Sequence, residues 1–148
     1  MIDRVVRVET DQQLADALAV RHEVFVEGQD VPEDLEYDDR DESADTIHFV
    51  AYDAEGEAVG AARLVPYDDP HTGKVQRVAV RESVRGEGWG RRLMDAVEAA
   101  ARAAGYDRLV LDAQTHAVGF YERLDYAITS DEVFMDAGIP HLSMRKDL

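Results

Sequence analysis

The stretch "VAVRESVRGEGWGRRLMDAV", residues 78–97, sets a β-branched run, an arginine and three alternating glycines in front of a helical pattern. Strand, glycine-rich turn and helix is how a chain builds an anion site. The first helical amides have no partner inside the helix, the helix dipole adds partial positive charge, and glycines let the backbone come close to a ligand. Two familiar loops are excluded by spacing. Gly86, Gly88 and Gly90 give G-x-G-x-G rather than the dinucleotide pattern G-x-G-x-x-G, and no Gly-Lys-Ser/Thr follows, as a nucleoside-triphosphate loop requires. Local charge agrees with an anionic ligand: residues 81–92 hold four arginines and two glutamates in a chain of net charge −16. A tight strand-to-helix turn with no ligand is the plain alternative, and for that one glycine suffices.

At 148 residues and 45% hydrophobic content, the chain is expected to form one domain, 1–148, around a single core. No apolar run approaches the roughly 20 residues of a membrane span, and the start "MIDRVVRVETD" lacks the apolar stretch of a secretory signal, so the expected location is cytoplasmic. The absence of cysteine excludes disulfides, thiolate metal sites and a Cys nucleophile. Asp and Glu number 32 against 16 Lys and Arg, and only Lys74 and Lys146 are lysines. That field repels nucleic acid and anionic membranes, and neither is an expected partner. Two explanations stand for the charge: a salt-adapted (halophilic) source whose acidic, lysine-poor surface stays hydrated, or an acidic surface that recruits a polycationic substrate.

Along the chain, "RVVRV" (4–8) predicts a strand, and "TDQQ" (10–13) a capping box opening a helix over about 11–25. Residues 30–45 carry nine carboxylates and one arginine, and read as a long acidic loop rather than a packed element. "IHFVAY" (47–52) and "AVGAARLV" (58–65) predict a hairpin with Gly56 in its turn, and "KVQRVAV" (74–80) a third strand after the loop "PYDDPHTG". From Gly90, the residues Leu93, Met94, Val97, Ala100, Ala101 and Ala104 share one helical face, and Gly105 stands at the C-terminal cap. A strand at 108–113, a short helix at 117–124 and closing strands in "YAITS" and "HLSMRK", around "DAGIP", complete an α/β (α+β) layering about a mixed sheet.

Arg85-x-x-Gly88-x-Gly90, directly after a β-branched strand, resembles the pyrophosphate-binding motif of the GNAT superfamily, the acetyl-CoA-dependent N-acetyltransferases. "VQRVAVRESVRGEGWGRRLM" resembles the superfamily's strand, loop and helix over its whole length, and "FYERLDY" (120–126) resembles its "FYxxxGF"-like helix. Asp125 stands in place of the usual glycine, so the bend after that helix is expected to be made differently. "RHEVFVEGQDVPEDLEYDDRDESADTIHF", "DAQTHAVGFYERL" and "DAGIPHLSM" are similar to the ElaA-like branch. The resemblance implies a mixed sheet of about six to seven strands flanked by helices, with two central strands splayed around the acyl donor, acetyl-CoA. It also implies transfer of the acetyl group to a primary amine by direct attack in a ternary complex. A homodimer is a frequent assembly in the superfamily.

Carried over by position, Val78, Ala79 and Val80 offer backbone groups to the acetyl oxygen and the pantetheine arm, while Arg85, Gly86, Glu87, Gly88, Trp89, Gly90 and Arg91 wrap the pyrophosphate. An amide aimed at the thioester oxygen stabilises the charge that grows there during attack, and losing such a donor typically costs about 3 kcal/mol. Gln114 occupies the place of an Asn that contacts pantetheine in many relatives. Tyr121 matches the acid that protonates the departing thiolate, beside the competing role of an aromatic packed on the sheet. Glu27 and Glu33 border the acceptor pocket by position, or belong to a solvated acidic loop. His141, in "GIPHLSM", stands at the acceptor end, or is a histidine hydrogen-bonded in a turn. His22, His48, His71 and His116 show no metal-ligand spacing, so no metal is expected. An acyl-CoA-binding sensor without turnover, and a protein N-acetyltransferase with an open groove, are the alternatives to a small-molecule enzyme.

Overall fold

The apolar runs set between charged turns all enter one sheet in the computed structural model, which describes residues 2–148. Strands β1 (Arg4–Arg7), β2 (Ile47–Tyr52), β3 (Ala58–Tyr67) and β4 (Asp69–Val80) form an antiparallel meander. The chain then passes through helix α3 (Trp89–Ala103; α1 and α2 lie between β1 and β2) to β5 (Arg108–Gln114), which runs parallel to β4. The closing strands β6 (Ala127–Ile128), β7 (Phe134–Asp136) and β8 (Ile139–Asp147) follow, and β8 pairs with β5, β6 and β7. Among the described residues the sheet has eight strands, one more than expected, because "DEVFMDAGIP" folds into a hairpin through Ala137 and Gly138, both at positive φ. This mixed, mostly antiparallel sheet flanked by helices is the GNAT fold.

Helix α1 (Asp11–Arg21) starts at the expected capping box, with Thr10 Oγ1 accepting from the Gln13 amide at 3.1 Å. It does not run to residue 25 as an α-helix, since His22–Glu27 form a π-helical segment. Its buried face, Ala17 and Val20 with Val24 of that segment, packs on Val50, Tyr52, Ala61 and Ala79. Helix α3 covers the opposite face, where Leu93, Met94, Val97 and Ala101 are fully buried against Phe49, Leu64, Leu109, Leu111 and Met144. Leu93, Met94 and Val97 each contribute roughly 1.5–3 kcal/mol by leaving water. Ala104, expected on that face, is exposed past the helix end, and Gly105 terminates the helix at φ +90°.

Three other local expectations change. The "PYDDPHTG" segment is not a loop: β3 extends to Tyr67 and β4 begins at Asp69, with Asp68 alone turning the chain at φ +64°. The bend after the "FYERL" helix, α4 (Val118–Glu122), is made in the ordinary left-handed way, by Asp125 itself at φ +73°. Asp is one of the few non-glycine residues that visits this region readily. Finally, the acidic segment 30–45 is no free loop. It holds α2 (Glu33–Glu36) and a 3₁₀ turn, Asp39–Glu42, opened by a capping box between Asp38 and Asp41.

The site is created where β4 and β5 part company. They pair only from Thr72 with Arg108 to Val75 with Leu111, while β5 goes on pairing with β8 as far as Gln114. A bulge lies at the point of divergence: Arg63 faces Gln76 and Ala61 faces Ala79, so Arg77 and Val78 together oppose Ala62. Arg77 takes the left-handed conformation, φ +58°, that the extra residue demands.

Candidate active site

A cleft of about 480 Å³ opens in the gap between the splayed strands, and residues from both faces of the sheet line it. Beyond Val75, one edge of β4 has no strand beside it, so backbone groups of Val78, Ala79 and Val80 border the cleft. At one end Arg85 is the only residue of the glycine loop among the lining; residues 86–91 lie beyond it. Gly86 and Gly88 have φ +82° and +89°, and a Cβ on either would meet no atom within 4 Å. Their role is conformational, and the space over them stays open. Gly88 is the N-cap of α3 and no side chain caps that end, which leaves first-turn amides available to an anion. The third glycine serves a different purpose: a Cβ on Gly90 would lie 3.1 Å from Phe120 Cζ, so Gly90 is the contact that lets α3 seat against α4.

The side chains of the loop divide in the same manner. Arg85 donates from Nε to the Val80 carbonyl at 3.1 Å and lines the cleft, which ties the loop to the end of β4. Glu87 and Arg91 are exposed. Trp89 is buried in the α3-side core under the Arg92 guanidinium, 4.4 Å from its ring centre, so only its backbone is offered to a ligand.

Tyr121 reaches the cleft from the α3 side. Its ring packs edge-on against Phe120 at 5.0 Å and Tyr126 at 5.9 Å, so it is both a core aromatic and a cleft residue. Its hydroxyl makes no hydrogen bond to the protein among the described residues, and burial pushes its pKa well above the usual phenol value. Gln114, at the end of β5, forms a reciprocal amide pair with Gln29, at 2.8 and 3.1 Å. That pair joins the π-helix side of the cleft to β5. Nothing in the sequence marked Gln29.

The opposite wall is the acidic segment, held by three arginines. Fully buried Arg21 donates to Glu36 Oε1 at 2.6 Å and to both oxygens of Asp41 at 2.6 and 3.0 Å. Fully buried Arg63 grips Asp38 with two bonds of 2.8 Å, reaches Asp41 at 2.9 Å, and donates to Gln76. Arg77, on the bulge, donates to the Leu35 and Glu36 carbonyls and to Asp38. Burial alone would raise the Asp41 carboxyl, but hydrogen bonds from Arg21, the Asp38 amide and Arg63 outweigh it and hold that group well below the usual carboxylate range. Asp38 is lowered in the same sense: burial opposes, and Arg63 prevails. This clamp carries Val31, Leu35 and Glu36 to the cleft beside Val24 and Phe25.

Glu27 and Glu33 do not line the cleft. Both are exposed and face His22, which Glu33 meets at Nε2 (2.7 Å) and Glu27 at Nδ1 (3.7 Å). The Glu33 hydrogen bond raises the His22 imidazole above its ordinary value. His141 does line the cleft, opposite Gln114 across β5 and β8. His48 is buried under Asp41, His116 lies at the cleft rim and His71 on an exposed turn. Among the described residues no cluster of three or more His, Asp or Glu has metal-binding geometry, and no helix is long and apolar enough to cross a membrane.

The acetyltransferase (GNAT) domain family matches residues 7–148. The chain belongs to the GNAT acetyltransferases. It is 42% identical over 144 residues to the uncharacterized N-acetyltransferase YjcF of Bacillus subtilis, covering 97% of this chain and 99% of that one. It is 33% identical over 139 residues to protein ElaA of Escherichia coli, covering 92% and 88%. The crystal structure of E. coli ElaA superposes with a TM-score of 0.84 at 28% identity, over 99% of this chain and all of that one. An acyl-CoA N-acyltransferase from Pseudomonas aeruginosa gives 0.80 at 31% identity, over 97% of each chain. This acetyltransferase is therefore an acyltransferase built on the family's acyl-CoA fold.

Proposed function

We propose that this acetyltransferase moves the acetyl group of acetyl-CoA to the primary amine of a small molecule, by direct attack within one ternary complex. The observation that carries this is the unpartnered edge of β4 at Val78–Val80, lying between an open, uncapped glycine cradle and Tyr121. The cradle's free amides and Arg85 fit a pyrophosphate, and the strand edge fits an extended amide-bearing arm. Amides along that edge would stabilise the thioester oxygen as the amine attacks.

Tyr121 is assigned the departing sulfur. Burial keeps its phenol protonated across the working pH range. Full transfer of that proton to a thiolate whose thiol has a pKa near 8.5 runs uphill, so Tyr121 acts as a hydrogen-bond donor to the sulfur as the C–S bond lengthens. The acceptor is expected to be a monoamine with an apolar flank. Val24, Phe25, Val31 and Leu35 line that part of the cleft, while Glu36 is taken by Arg21 and Asp112 by Lys74 at 3.0 Å. A polyamine would want several unpaired carboxylates there, and among the described lining residues only Asp136, exposed at the rim, is unpaired. Of the nine carboxylates in segment 30–45, six remain exposed, and with two lysines in the whole chain they support a salt-adapted surface.

The test is a CoA-release assay in molar KCl with acetyl-CoA and an amine panel (aralkylamines, amino acids, polyamines, aminoglycosides, peptides), with calorimetric titration of acetyl-CoA alongside. Release that depends on an apolar monoamine supports the proposal. Acetyl-CoA binding without release across the panel replaces it with an acyl-CoA-binding module, and release with peptides alone replaces it with a protein acetyltransferase.

A further inference from the structure

We propose that His141 is the general base of this acetyltransferase, its Nε2 taking the proton that the acceptor ammonium must lose before it attacks. The proposal rests on the acetyl-transfer function given above. Its first support is the tautomer. His141 Nδ1 lies 2.7 Å from the Ile139 carbonyl oxygen, which can only accept, so Nδ1 carries the hydrogen and the neutral ring presents its lone pair at Nε2. Nε2 has no hydrogen-bond partner among the described residues, and the ring that carries it belongs to the lining of the cleft.

The ring is also held. His141 sits on β8 between β5 and β7, and stacks on Phe134 with ring centres 5.9 Å apart and an interplanar angle of 22°. A base fixed on a doubly paired strand needs little reorganisation at the moment of proton transfer.

Strand alternation supplies the third argument. Met144 points into the α3-side core, and His141, three positions before it, therefore faces the α1 side of the sheet. Tyr121 comes from the α3 side. Base and sulfur-directed donor thus reach the gap from opposite faces of the sheet, which keeps the group that takes the ammonium proton apart from the group that faces the departing sulfur.

The competing groups facing His141 are committed elsewhere or lie at the rim. On β5, Asp112 is bound to Lys74 of β4 and accepts the Ser143 hydroxyl at 2.9 Å. On the α2 wall Glu36 is bound to Arg21, and Arg77 is held by carbonyls and Asp38. β7 offers the exposed carboxylate of Asp136, the turn after β5 the exposed His116, and α4 the protonated Tyr121. β6 contributes no titratable group.

The step balances as follows. The ammonium gives one proton to Nε2, which passes it to solvent. The freed amine adds to the thioester carbonyl, forming the C–N bond and placing charge on the oxygen; collapse of that adduct breaks the C–S bond, and the second nitrogen proton passes to the departing sulfur, which leaves as CoA thiol. One amide, one thiol and one released proton result.

The experiment compares kcat/KM against pH for the wild type, His141→Asn and, as a control outside the cleft, His71→Ala, with an amine that the panel shows to be turned over. Asn retains an N–H where Nδ1 stood, so the bond to the Ile139 carbonyl survives while Nε2 is lost. The expected result is a drop of about 100-fold at pH 7 in His141→Asn, with recovery toward the wild-type rate as pH nears the amine's own pKa of about 10. Acetyl-CoA affinity is expected to stay the same, and His71→Ala to keep the wild-type profile. Long-range ¹H–¹⁵N NMR of the unliganded protein at pH 8 provides a readout without turnover: Nδ1 protonated, Nε2 bare. An unchanged profile in His141→Asn, or a proton on Nε2, overturns the role of His141 alone. Failure of every amine despite bound acetyl-CoA overturns the acetyl-transfer function and this role with it.

Discussion

On the β4 side of the cleft, the loop at 85–91 keeps backbone amides free by leaving side chains out. On the α1 side, residues 30–45 are crowded with carboxylates, and the three least exposed of them are neutralised by arginines. One wall is shaped by local conformation, at Gly86 and Gly88; the other by contacts between residues 15 to 42 positions apart. A locally built wall tolerates loss of distant partners, whereas an ion-clamped wall fails as a unit, because removing one charge strands the others in a medium of low dielectric.

The sharpest way to break the comparison is Asp41→Ala. It leaves the buried Arg21 and Arg63 short of a shared counter-charge, and we expect a loss of about 3–5 kcal/mol in denaturant unfolding with an unchanged slope. A loss under about 1 kcal/mol would mean that the clamp does not anchor the acidic segment. The same clamp gives a pH signature. Asp41 and Asp38 titrate lower in the folded than in the unfolded protein, so their stabilisation is complete above the ordinary carboxylate value, near pH 4, and is lost as pH falls below it. Urea titrations at successive pH values should show stability falling on the acid side, and Asp41→Ala should flatten that fall.

Next in size is Tyr121→Phe, expected to lower turnover ten- to a hundredfold while acetyl-CoA affinity and melting temperature stay near wild type, since the lost hydroxyl holds no protein partner. A matching loss of affinity would instead make Tyr121 a binding residue.

A smaller pair sharpens the glycine wall. Gly88→Ala forces a left-handed alanine, costs about 1–2 kcal/mol and should weaken acetyl-CoA binding. Gly90→Ala instead presses on Phe120 Cζ at 3.1 Å; that crowding offsets the roughly 1 kcal/mol that Ala gains over Gly in a helix, and Phe120→Leu should release the gain with affinity little changed. Equal effects of the two substitutions on affinity would remove the distinction between them. The smallest effect is predicted for Glu27→Gln with Glu33→Gln: these exposed carboxylates meet only His22, so the acceptor KM should not move, whereas its rise would return them to the acceptor site.

The glycine turn and the uncapped start of α3 were legible because their determinants are contiguous. A strand, two left-handed glycines and an uncapped helix start are local events, and so are the capping box at Thr10 and the stop at Gly105. Where local pattern misled, a long-range partner was responsible. The acidic segment read as solvated because its arginines lie on α1, β3 and β4. One signal was present: Arg63 interrupts the apolar run "AVGAARLV", a lone charge in a buried strand that demands a counter-ion. Gly90 was grouped with its neighbours by spacing, although its reason is Phe120, thirty residues away. Asp125 showed the converse case, a substitution that kept the turn geometry.

By itself, then, the sequence determined the strand and helix periods, the glycine cradle and the family, since each depends on neighbours within a few residues or on a contiguous motif. Only the tertiary structure decided which carboxylates are buried, where β4 leaves β5, why Arg77 turns left-handed, and that His141 and Tyr121 approach one gap from opposite faces. Those outcomes depend on strand register and on partners far apart in the chain, and ion pairing and burial act through space, whatever the order of residues between them.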